Sequence, residues 1–228
     1  MQQEPVRNSQ VVFGSPTQAA VLETNRVLRN TYMLLSMTLL FSAAMAGVSM
    51  ALKIPYFGPW VTLGVYFGLL FLTAKMRNSA AGIVCVFALT GFMGLTLGPL
   101  LSAYIQSMAN GGELVMTALG ATGVIFLALS GYALKSKKDF SFMGGFLMVG
   151  MFGLLGVIVL GLFVDLSAFQ MAISTGIVLL MGAMILFQTS EIIHGGETNY
   201  IMATVSLYVS IYNLFVNLLM LLGIGGEE

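Results

Sequence analysis

Charge is scarce in this sequence. Of 228 residues, 9 are Lys or Arg and 9 are Asp or Glu, together 8%, against roughly 25% in a soluble domain. A water-soluble fold of this length could not hide a chain that is 58% hydrophobic. The net charge is zero, which leaves no electrostatic basis for binding nucleic acid. The lone cysteine, Cys85, excludes an internal disulfide and reads as a small apolar side chain within a span. The lone histidine excludes most metal chemistry, because a zinc site needs three or four ligands. His194-x-x-Glu197 offers two, in a loop. There is no Gly-Lys-Ser/Thr phosphate loop and no nucleophile elbow. No span carries paired aspartates, a histidine cluster, or a serine with a His or Lys partner. These absences argue against an enzyme, and nothing calls for a cofactor.

What remains is apolar sequence in long runs. Spans fall near 31–52, 57–74, 80–105, 114–134, 141–163, 168–190 and 200–223. Each is long enough to cross a hydrocarbon core of about 30 Å at about 1.5 Å per residue. The expected fold is an all-α polytopic membrane protein with seven transmembrane helices in contact with lipid. The charge sits in the gaps, and the basic residues sit in alternate gaps. Arg7, Arg26 and Arg29 precede the first span, Lys75 and Arg77 follow the second, and Lys135, Lys137 and Lys138 follow the fourth. Only Lys53 falls in the other class of gap. By the positive-inside rule the side with the N-terminus is cytoplasmic. The loop between the last two spans carries Glu191 and Glu197 and no basic residue. Orientation is therefore least determined there, and the side of the C-terminus depends on whether a late segment is re-entrant.

Three regions are expected: a cytosolic tail and interfacial helix over 1–30, the membrane domain over 31–223, and a short tail over 224–228. Residues 1–14 are polar and without periodicity. Ser15-Pro16-Thr17-Gln18 reads as a helix start, with a serine cap, proline at the first turn and a capping-box glutamine. The helix that follows either lies at the interface before turning into the first span or simply extends it. The leader is too polar for a secretory signal, so the first span is expected to stay uncleaved. Gly64-xxx-Gly68 and Gly94-xxx-Gly98 are small-residue pairs that let helices approach, within the chain or between copies. No internal repeat is evident.

Polar residues inside spans are the place to look for function. In the seventh span Ser206, Ser210, Asn213 and Asn217 recur on one helical face, with Tyr208 and Tyr212 in a second row. In the sixth, Gln188 and Glu191 share a face near the inner end. Lipid cannot satisfy such groups, so they point at protein or at water. They either line an ion or proton path or bond between helices. Glu191 is the sole carboxylate near membrane depth; it is a proton-sensitive switch if it faces a cavity and an ordinary helix-end charge if it does not.

The run Phe92-Met93-Gly94-Leu95-Thr96-Leu97-Gly98-Pro99-Leu100-Leu101 resembles the Gly-Leu-x-Leu-Gly-Pro-Leu signature of the Bax inhibitor-1 family. Ala118, Thr122 and Phe126 continue the pattern, and Leu207 to Phe215 resembles the family's final helix. Phe187-Gln188-Thr189-Ser190 and Thr198-Asn199-Tyr200-Ile201 are similar to stretches of its proteobacterial YccA branch. The resemblance covers about 200 residues, from the first span to the last. It implies a seven-helix fold with the last helix central. Members that leak calcium carry two facing aspartates in the last two helices, and those places align here with Gln188 and Ser210. Neither titrates, so that switch cannot operate in its usual form, and Glu191 has no acidic partner. The YccA branch implies another role: a non-enzymatic protein of the bacterial inner membrane that binds and modulates the AAA+ protease FtsH and is also its substrate. Residues 1–14 would give such a protease a flexible end to grip. The alternative is a pH-regulated calcium or cation leak built on Glu191, Gln188 and Ser210.

Overall fold

The computed structural model describes residues 18–225, and among these the backbone is helical throughout with short connections. The helices are α1 (Gln18–Ala51), α2 (Pro59–Met76), α3 (Ala80–Ser107), α4 (Gly111–Ser136), α5 (Gly144–Gly161), α6 (Gln170–Ile193) and α7 (Tyr200–Gly225). All seven are long and apolar enough to cross a membrane. Residues 15–17 of the capping motif and the tail over 1–14 lie outside the described residues. α1 is one helix from Gln18 onward, which is the simple extension of the first span.

Loop chemistry sets the helix ends. α2 starts with Gly58 at φ +80°, followed by Pro59, whose missing N–H is no loss in a first turn. α4 ends with Lys137 in the left-handed region, its N–H bonded to the Ala133 carbonyl. Asp139 accepts the Ser141 N–H at 2.8 Å and Asp165 accepts that of Ser167 at 2.9 Å, each opening a short 3-10 turn that leads into α5 and α6. Those backbone bonds hold both exposed carboxyls below the usual carboxylate range. Asn199 caps α7, its Oδ1 accepting the N–H groups of Ile201 at 3.0 Å and Met202 at 3.1 Å.

Three of these loops are bonded together at one end of the bundle. The Asn199 amide donates to the Arg77 carbonyl at 3.0 Å and to Asn78 Oδ1 at 2.9 Å. His194 Nε2 lies 3.1 Å from the Lys137 carbonyl, and Nδ1 lies 2.9 Å from that of Ser190. Ser190 Oγ in turn accepts the Phe140 N–H at 3.0 Å. The acidic α6–α7 loop is thereby tied to the two loops that carry Lys75, Arg77 and Lys135 to Lys138. Neither α6 nor α7 is re-entrant, so α7 starts at the basic end and finishes at the opposite one.

α3 and α7 are the most buried spans, each with half of its most apolar stretch inside the protein. α7 packs on α6, α4, α1 and α3, while α2 packs mainly on α3 and α5 on α6. α2 and α5 are correspondingly the least buried. Leu35, Met181, Ile185, Leu207 and Leu214 form the centre of the largest core cluster, with a second around Ala118, Phe215 and Leu219.

The tightest seam is α1 on α3. A Cβ at Gly94 would run into the Ser42 carbonyl, and one at Gly98 into the Ser49 side chain. This closeness has a use. Pro99 lies inside α3 and has no N–H to give the carbonyl four residues back, at Leu95. Ser49 of α1 supplies the missing donor, its hydroxyl reaching the Leu95 carbonyl at 2.8 Å. Glycine at 98 makes room for that serine. The Gly-xxx-Gly-Pro run is thus a self-consistent packing unit in a medium with no water to mend a broken backbone bond. The second glycine pair behaves differently. Added Cβ atoms at Gly64 and Gly68 would meet nothing within 4 Å, which corrects the expectation of tight packing within the chain. α2 touches the bundle with another face.

Candidate functional site

The polar residues of α7 separate into two rows with different surroundings. The tyrosine row faces α1 and α3. Tyr208, 1% exposed, has its hydroxyl 2.6 Å from Ser42 Oγ and 3.2 Å from the Thr90 carbonyl. Tyr212 pairs with Thr96 Oγ1 at 3.0 Å. A further hydroxyl cluster, Tyr32 with Ser130 and Thr189, links α1, α4 and α6. These groups bond across helices and hold the bundle.

The serine and asparagine row faces the other way, onto a cleft of about 670 Å³ between α2 and α5. Phe67, Leu70 and Phe71 form one wall and Met151 and Leu154 the other, with Met181, Met184 and Met202 deeper in. Gln188, Ser206, Ser210 and Asn213 line the floor. The Ser210 hydroxyl lies 3.1 Å from Gln188 Oε1 and also 3.1 Å from the Ser206 carbonyl of its own helix. It has one proton for these two acceptors. Asn213 donates back along α7 to the Val209 carbonyl at 2.8 Å, and Asn217 to that of Asn213 at 2.8 Å. The floor is therefore only partly used. Gln188 Nε2 and the Asn213 side-chain oxygen bond to nothing among the described residues.

Two of the six polar candidates lie apart from this cleft. Asn217 is buried further along α7. Glu191 is half-buried at the end of α6, with its carboxylate folded against Gly196 in the α6–α7 loop, where a Cβ would collide with it. Sequence spacing put Glu191 on the Gln188 face. The carboxylate lies instead against the loop, where Gly196 and Glu197 both donate their N–H groups to the Glu191 main-chain carbonyl. Among the described residues, no carboxylate, lysine, arginine or histidine lines the cleft. Its chemistry is neutral hydrogen bonding, without a charge to hold a bare cation.

Several working residues escaped the sequence reading. Ser49 carried no signal of its own, although Pro99 inside an apolar run predicts that something must serve the Leu95 carbonyl. Asn199 did carry one, being an asparagine directly before a long apolar stretch. His194 as a clamp between loops depends on contacts that no local pattern encodes.

Residues 24–227 match the family model described as inhibitor of apoptosis-promoting Bax1. The chain belongs to the Bax inhibitor-1 family. Among relatives, an uncharacterised protein of Pseudomonas aeruginosa is 54% identical over 206 residues, covering 90% of this chain and 92% of that one. The protein of Escherichia coli K12 named modulator of FtsH protease YccA is 48% identical over 218 residues, covering 96% and 99%. An uncharacterised membrane protein of Vibrio cholerae is 47% identical over 204 residues, covering 89% and 91%. The structure gives Gly94, Gly98 and Pro99, the run that resembles the family signature, a packing role in the α1–α3 seam, and none of the three lines the cleft.

Proposed function

We propose that this chain is a non-enzymatic protein of the bacterial inner membrane, N-terminus cytoplasmic, that binds the AAA+ protease FtsH and modulates it while also serving as its substrate. The observation that carries this reading is the 48% identity, end to end, with the E. coli protein named for modulating FtsH. The neutral cleft is in keeping with it. A leak of the Bax inhibitor-1 type that gates on paired carboxylates would need acid where Gln188 and Ser210 stand, and Glu191 is turned toward the loop. Residues 2–14 supply the polar end that the protease grips.

The test is affinity purification from mild detergent of the intact protein beside a form lacking residues 2–14, with turnover followed in cells. The protease should accompany the intact protein, and trimming should slow turnover while leaving the protein folded. Absence of the protease from both preparations would overturn the reading. Unchanged turnover would remove the tail from it.

A further inference from the structure

The cleft between α2 and α5 holds polar groups at a depth where free lipid has nothing to offer them. Counting from the start of α7, Ser206 lies about 9 Å and Asn213 about 20 Å into the span at about 1.5 Å per residue. That is well inside a hydrocarbon core of about 30 Å. Gln188 Nε2 and the Asn213 oxygen bond to no described residue, and acyl tails can satisfy neither. Phospholipid carries its carbonyls near the headgroups. A transmembrane helix can bring an amide or hydroxyl to that depth, and amide and hydroxyl side chains do bond across membrane helices.

The walls suit the same occupant. α2 and α5 are barely buried and rest on different neighbours, α3 and α6, with the slot between them. Met151, Met181, Met184 and Met202 line it, and methionine repacks easily around varied shapes. No charged residue among those described lines the slot, so a charged side chain on the incoming face would meet no opposite charge there.

We propose that this cleft is the seat for a transmembrane helix of the protease, which enters between α2 and α5. An uncharged polar side chain on that helix bonds to Gln188 and Asn213. This rests on the protease-modulator reading and adds the contact surface to it.

The test places a photo-crosslinking phenylalanine analogue at Phe71 or Met151, on the two walls, or at Val124 on the outer face of α4, in the full-length protein in native membranes. Phe71 and Val124 are 73% and 68% exposed, so the fold should tolerate the probe at both. Adducts with the protease are expected from Phe71 and Met151 and not from Val124. Asn213→Leu should lower their yield about threefold, the loss that one interhelical membrane hydrogen bond represents. Adducts with phospholipid alone from the walls, or protease adducts from Val124 alone, would overturn the docking site. If the protease still co-purifies in that case, the modulator reading stands without it. If the protease neither crosslinks nor co-purifies, both fall.

Discussion

The two sides of α7 carry similar numbers of polar residues and treat them in opposite ways. Toward α1 and α3, hydroxyls meet partners on other helices: Tyr208 with Ser42 and Thr90, Tyr212 with Thr96. Toward the cleft, Asn213 bonds to its own helix and Ser210 finds only Gln188 beyond it. The first side spends its polar groups on holding helices together. The second keeps hydrogen-bonding capacity in reserve. A membrane protein has little hydrophobic drive between helices, so close packing and bonds across helices must do the holding. Unspent polar groups then mark the side that meets something else.

The largest expected effect breaks the held side while sparing the other. Gly94→Leu drives a side chain into the Ser42 backbone, and overpacking of that kind costs about 3 kcal/mol or more. Gly64→Leu faces open space and should shift stability by less than about 0.5 kcal/mol. Size-exclusion profiles and unfolding in detergent would show the first variant aggregated and the second normal. Equal behaviour would erase the asymmetry.

A smaller effect sharpens the account of the seam. Ser49→Ala strips the Leu95 carbonyl of its donor, and a buried acceptor left open costs about 1–3 kcal/mol. Adding Pro99→Ala restores an N–H in register with that carbonyl and should recover much of the loss. Rescue measured in a double-mutant cycle checks the coupling, and additive losses would mean that Ser49 serves some other end.

The number, type and approximate bounds of the helices were legible in the sequence, because an apolar run bounded by charge has few alternatives. Seven expected spans and seven observed ones agree to within a few residues, apart from α1, which begins near residue 18. The attachment of the α6–α7 loop was not legible. It depends on His194 and Asn199 reaching residues 57 and 122 positions away in sequence. The candidate site was legible in part. Helical periodicity put Ser206, Ser210 and Asn213 on one face, and the family resemblance set Gln188 opposite Ser210, where the structure has the two side chains 3.1 Å apart. Periodicity could not say that Glu191 folds back on Gly196, or that Asn217 lies beyond the cleft. Nor could it separate Gly94 from Gly64, since a glycine pair reads the same whether a neighbour is present or not.

On α7, one side would hold and the other would bind, and this division can be measured. It is tested most directly by comparing Tyr208→Phe with Asn213→Leu in one assay that records unfolding in detergent and protease captured per folded molecule. Tyr208→Phe should cost about 1 kcal/mol of stability and leave capture unchanged. Asn213→Leu should leave stability within about 0.5 kcal/mol and lower capture about threefold. If capture instead tracks stability in both variants, the division is wrong and the cleft is simply part of the packing.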